Sequence, residues 1–177
     1  MKYLIALSIF VCLASTSFSQ YAPVPEYLTT QDFPDSVKSL GIRHVDGKRL
    51  TFGDMLQKYK GKKILIDIWG SWCKDCIVGY PKLDELRKEA GEENIVYVFL
   101  STDEDERKWK NAIKRFGIRG EHYLLDGAWK NTLSNYLVLD WVPRYFVLNE
   151  KGRMILPKAI IAEDSTLKKA LQNTATP

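Results

Sequence analysis

Hydrophobic positions along the chain follow two rhythms. Residues 64–69 (Ile-Leu-Ile-Asp-Ile-Trp) and 95–100 (Ile-Val-Tyr-Val-Phe-Leu) are near-continuous apolar runs of strand length, the pattern of strands covered on both faces. Between them Ile77, Tyr80, Leu83, Leu86 and Ala90 recur at helical spacing. Pro81 falls inside that helix and predicts a kink there. Trp109, Ala112, Ile113 and Phe116 form a second helical stripe, with an acidic first turn, a basic last turn and a stop at Gly117. A further helix is predicted around Trp129, Leu133, Tyr136 and Leu137. Strands over 144–148 and 154–156 follow, joined by Asn149-Glu150-Lys151-Gly152, and a last helix carries Leu167, Ala170 and Leu171. Upstream, Asp46-Gly47 supplies the positive φ of a hairpin turn, and a short helix is expected over 52–58. The succession predicts an α/β fold with a mixed central sheet.

The N-terminus follows neither rhythm. Lys2, an apolar run over 4–14, and Ser17-Phe18-Ser19 make residues 1–19 a signal peptide cut before Gln20. The run is shorter than the roughly 20 residues of a membrane span. Cys12 lies within it, and Phe10-Val11 before it lacks the small residue of a lipid-attachment site, so Cys12 reads as part of the signal. Removing these 19 residues leaves 158 of the 177, one ordinary domain. Residues 20–38, proline-rich and without clear periodicity, are expected as a lead-in arm, and residues 39–177 as the domain itself.

Formal charge is +4, or +3 after cleavage, because the signal holds one Lys and no acid. The cations are scattered, which argues against a nucleic-acid footprint. Two cysteines remain, Cys73 and Cys76. In an exported chain such a pair is either a small structural bridge or a working redox couple. A bridge across so short a loop stabilises weakly, so redox work is the better reading.

Cys73 precedes the helix proper, where unpaired backbone N–H groups and the helix dipole favour a thiolate. It is expected to be the exposed nucleophile, and Cys76, one turn in, the less accessible resolving thiol. A closed zinc site would need two further ligands, and only His44 and His122 offer themselves. Lys74 and Asp75, between the thiols, act on the couple with opposite sign, or are solvent-facing helix starters. Asp67 interrupts a buried strand. An unpaired carboxyl there has a raised pKa and can take the proton from Cys76, or it is a strand-end acid bonded locally. Pro143 can occupy the first position of a strand without loss of a needed donor. Trp69 and Trp72 bracket the active turn, whereas Trp109 and Trp129 read as core. His122 reads as a surface or packing residue.

Together Asp67, Trp69, Trp72-Cys73-x-x-Cys76, Pro81 and Pro143 resemble the thioredoxin superfamily. The signal peptide, the Asp-Gly-Lys hairpin and the insertion between Asp103 and Trp141 resemble its exported TlpA/ResA-like branch, and the Gly120-to-Arg144 pattern is similar to proteins from Bacteroidetes. The resemblance covers roughly residues 41–171. It implies a thioredoxin-like three-layer α/β/α sandwich with an N-terminal β-hairpin extension. It also implies a cis Val142–Pro143 bond facing the thiols, with the Val142 backbone and Trp72 contacting a substrate strand. The family's Gly-Pro between the cysteines is Lys74-Asp75 here, which affects the redox potential.

The expected function is an extracytoplasmic thiol–disulfide oxidoreductase that reduces protein disulfides through Cys73 and Cys76, without cofactor or metal. Its partners would be protein disulfides and a membrane or exported electron donor. It would be periplasmic, or else extracellular, with no membrane span after cleavage. A dithiol oxidase or isomerase uses the same site, since such couples span about −270 to −120 mV. A binding or metal-delivery protein on the same fold is the non-catalytic alternative. A peroxidase would need a threonine and an arginine near Cys73, and no such arrangement is evident in the sequence.

Overall fold

In the computed structural model, which describes residues 23–172, two short helices precede the first strand. They are α1 (Tyr27–Thr30) and α2 (Asp35–Lys38). Leu28, Phe33 and Val37 are buried in the main core, and the Tyr27 hydroxyl donates to the Tyr136 carbonyl at 2.7 Å. Residues 27–38, expected as an arm, are therefore packed onto the domain. Helices of one turn are too short to show a period, so the sequence pattern concealed them. The signal-peptide reading, with Cys12 and the cleavage point, lies outside the described residues.

Strand β1 (Gly41–His44) pairs antiparallel with β2 (Arg49–Thr51), turning through Gly47 at φ 99°. Helix α3 (Phe52–Lys58) follows with a full capping box between Thr51 and Asp54, a device worth about 1 kcal/mol. The apolar run becomes β3 (Lys63–Trp69), buried at every position. Helix α4 (Lys74–Ala90) starts at Cys73 and continues through Pro81, burying Cys76, Leu83 and Leu86. Next come β4 (Ile95–Ser101), α5 (Glu106–Phe116), β5 (Glu121–Leu125) and α6 (Thr132–Tyr136). The chain closes with β6 (Arg144–Leu148), β7 (Met154–Ala159) and α7 (Ser165–Gln172).

The seven strands form one mixed sheet in the order β2-β1-β5-β4-β3-β6-β7. The β3–β4 and β4–β5 pairs are parallel and the others antiparallel. Helices flank the sheet, α4 packing against α7 and α2 against α3 and α6, an α/β/α sandwich. Strand β5 has no separate signal in the sequence: it is short, and Glu121 and His122 interrupt its apolar character. The helix expected around Trp129 begins only at Thr132. Asn131 caps it, accepting from the Ser134 N–H at 2.8 Å, and Gly127 turns the chain just before it at φ 79°.

Candidate active site

Strand β3 ends at Trp69, and the chain must turn sharply to begin α4. Two neighbours from the end of β4 hold that turn. The Thr102 N–H and hydroxyl both donate to the Trp69 carbonyl, at 2.8 and 3.0 Å. Asp103, only 3% exposed, accepts from the Ser71 N–H at 2.8 Å, the Ser71 hydroxyl at 2.5 Å and the Ser101 hydroxyl at 2.6 Å. Gly70 lets the Trp72 indole lie close over the turn: a Cβ there would stand 2.6 Å from the ring and displace it. These contacts fix the residues immediately before Cys73.

Cys73 is the N-cap of α4, and its Sγ accepts from the Cys76 N–H at 3.1 Å. The two sulfurs form a disulfide with Cα atoms 5.3 Å apart. After reduction the same N–H and the dipole of this 17-residue helix favour negative charge on Cys73. Its exposure differs from expectation: Cys73 and Cys76 are buried alike, at 6% and 5%. The cause is the loop before β6, whose Val142 carbonyl oxygen lies 3.6 Å from the Cys73 Sγ. The Val142–Pro143 peptide bond is cis.

Beside Cys73 a groove of about 390 Å³ is lined by Trp72, Lys74, Asp75, Trp129, Asp140, Trp141 and Val142. Trp72 is 59% and Trp141 44% exposed. Trp129, read from sequence as core, packs half-buried against the core from the turn before α6, and its ring also faces the groove 6.3 Å from that of Trp72. Trp69, the other tryptophan beside the active turn, is buried. Lys74 and Asp75 are both exposed on the first turn of α4. Pro143 lines an adjoining cleft with Asp75, Gly79, Trp141 and Tyr145.

Asp67 lies in the middle of β3, directly across from Phe99 on β4 and Tyr145 on β6. Its Oδ1 is buried with no hydrogen-bond partner. Burial alone drives its pKa well above the usual carboxylate value. Burial likewise pushes up the Tyr145 hydroxyl, with the Asp67 charge adding to the effect. His122 is buried in β5, its ring stacked 5.0 Å from Phe99 and its Nε2 2.9 Å from the Ile118 carbonyl oxygen. It is a packing residue and lies outside the groove.

A family model described as Redoxin matches residues 35–171. The chain belongs to the Redoxin family. Among curated relatives, the thiol-disulfide oxidoreductase ResA of Bacillus thuringiensis subsp. konkukian is 25% identical over 114 residues, covering 64% of this chain and 62% of that protein. The thioredoxin-like protein YneN of Bacillus subtilis is 30% identical over 99 residues, 55% of this chain and 56% of that one. The chain thus spans 62% and 56% of the length of these two relatives. Among solved structures, a thiol-disulfide oxidoreductase from Bacteroides fragilis superposes with TM-score 0.62 at 19% identity, over 76% of this chain and 98% of the other. A thiol:disulfide interchange protein from a Bacteroides species gives 0.59 at 24%, over 76% and 86%. Both share the fold of this chain.

Several site residues escaped the sequence reading. The Ser71–Asp103–Ser101 network was visible only as a Ser-Thr-Asp at the end of a strand pattern. Neither Trp129 nor Trp141 carried a local signal of a place in the groove, which gathers them from loops distant along the chain. Arg144 read as an ordinary strand residue, yet it is among the largest fully buried side chains.

Proposed function

We propose that this protein is an exported thiol–disulfide oxidoreductase that reduces disulfides in other proteins. The observation that carries the reading is the Cys73–Cys76 disulfide at the N-terminus of α4, with Cys73 as cap and the Val142 carbonyl against its sulfur. In the reduced protein the Cys73 thiolate attacks one sulfur of a substrate disulfide. A mixed disulfide forms, and the other substrate sulfur leaves as a thiolate that takes a proton from water. Cys76 then attacks Cys73 Sγ while its proton passes to the Asp67 carboxylate, and the second substrate sulfur leaves and is protonated in turn. Two electrons have moved to the substrate, and Cys73–Cys76 is oxidised.

Asp67 suits the acceptor role because burial raises its pKa, which makes its carboxylate a stronger proton acceptor than an ordinary acid. Trp72 supplies exposed apolar surface beside the nucleophile, and the Val142 backbone next to Pro143 pairs with an extended substrate segment. Lys74 and Asp75 tune the potential through their charges at the head of the helix. The cycle closes when an exported or membrane-bound donor returns two electrons. This reading takes residues 1–19 as a removable signal, 20–38 as an N-terminal segment and 39–177 as the redox domain, and places the protein in the periplasm. Its support is the similarity to ResA and the apolar N-terminal run.

A trapping experiment tests the assignment. Cys76→Ser should accumulate a mixed disulfide through Cys73 when offered oxidised insulin, releasable by dithiothreitol, whereas Cys73→Ser should form none. Equal trapping by both variants, or by neither, would remove Cys73 from the nucleophile's role.

A further inference from the structure

One side chain ties together the two ends of the loop that reaches Cys73. Arg144 opens β6 and is only 1% exposed. Its guanidinium pairs with the Asp140 carboxylate and makes a longer contact, 3.4 Å, to the carbonyl of Leu137, the C-cap of α6. Asp140 also accepts from Lys158 on β7 at 2.8 Å. The span enclosed by these bonds, residues 138–143, has no regular structure of its own. It includes Val138 in the left-handed region at φ 48°, and the cis Val142–Pro143 bond. Its far end places the Val142 oxygen 3.6 Å from the Cys73 sulfur.

Packing alone does not explain an arginine here. Desolvating a guanidinium costs several kcal/mol, and an apolar side chain of similar volume is commonly as stable or more so. Burial works against the Arg144 charge and Asp140 works for it. Burial also opposes the Asp140 charge, but Lys158 and Arg144 hold its carboxyl below the usual range. The result is a charged, directional clamp across the base of a loop, and Asp140 at the same time lines the groove beside Cys73. A rigid fork bonded at two points fixes a loop as an apolar contact does not.

We propose that the Arg144–Asp140 pair is a positioning device that holds residues 138–143 so that the Val142 backbone meets a substrate strand next to Cys73. The inference rests on the strand-pairing reading above. A small disulfide needs only the thiols, whereas a protein disulfide also needs the strand edge. Loosening the clamp therefore lowers selectivity for protein over small disulfides. The full-length chain, reduced, is assayed with insulin and with oxidised glutathione, and the two values of kcat/KM are taken as a ratio.

In Arg144→Met and in Asp140→Asn the ratio should fall on the order of tenfold, mainly through KM for insulin. The double variant should lose clearly less than the two single losses combined, because both remove the shared Arg144–Asp140 pair. Arg144→Lys, which keeps the charge but loses the fork, should fall between. Folded variants with an unchanged ratio, or additive losses, would overturn the proposal. Should Arg144→Met fail to fold, Asp140→Asn decides, since it preserves volume and leaves the Leu137 contact intact. A wild-type ratio no higher than that of free dithiothreitol would instead sink the strand-pairing reading itself.

Discussion

Replacing Asp67 by Asn keeps the side chain's size and removes only its ionisation. Asp67 is 5% exposed, flanked across the sheet by Phe99 and Tyr145, with Oδ1 unbonded. Burial raises its pKa well above the ordinary 3.8. The folded protein therefore holds this proton more tightly than the unfolded chain does. Stability is lost as pH climbs from the unfolded value through the folded one, and the loss is complete above both. Asp67→Asn escapes that loss. Within this window the variant should gain on the parent by about 1.4 kcal/mol per pH unit, or ~3–5 °C in melting midpoint for a chain of this size. Any fixed cost of the amide, whose own N–H groups also need partners, shifts the whole curve without changing its slope. Urea melts of the oxidised proteins at half-unit steps from pH 4.5 to 8 would read the difference. A difference that stays flat across this range would mean the carboxyl ionises normally, and the proton-acceptor role would lose its physical basis. The same variant should slow release of the mixed disulfide while leaving its formation nearly intact.

Three other expectations follow from named contacts. His122 is pushed by burial from 6.5 down to about 4, so the unfolded chain binds the proton more readily and stability falls as pH drops between those values. The loss amounts to about 3 kcal/mol, and acid melts of His122→Phe should lack most of it. Asp103→Ala leaves the Ser71 N–H and two serine hydroxyls without their acceptor. It should cost about 3 kcal/mol in denaturant melts and slow exchange at Cys73 by loosening the turn. Trp129→Ala removes the ring beside Trp72 and should raise KM for insulin by roughly two- to tenfold, with little effect on kcat in steady-state assays.

Much of the architecture was readable because it follows from periodicity. The runs at 64–69 and 95–100 allow little but buried strands, and the stripe of Trp109, Ala112, Ile113 and Phe116 allows little but a helix. The pairing of Cys73 with Cys76 was visible in the same way, as two thiols one turn apart, and Asp67 stood out as an acid where no acid belongs. Local pattern failed where long-range packing decides. Helices α1 and α2 exist because Leu28, Phe33 and Val37 find the core, and one turn of helix has no period to display. The helix expected around Trp129 starts later because, although its spacing to Leu133 suits a helix, Gly127 and the Asn131 cap place Trp129 in a turn. Cys73 was expected to be exposed because nothing near it in sequence covers it; the cover comes from Val142, 69 residues away. Arg144 and Asp140 are four residues apart on a segment that is not a helix, so their pairing had no pattern to announce it.

The central claim is that Cys73 and Cys76 form a working redox couple. Equilibration of the protein against a graded series of reduced and oxidised glutathione, read by alkylation of free thiols and by Trp72 fluorescence, tests it directly. A single reversible two-electron transition is expected, with a midpoint between about −270 and −120 mV, nearer the reducing end for a reductase. Thiols that never close reversibly under any ratio would contradict it and leave a binding protein on a Redoxin fold.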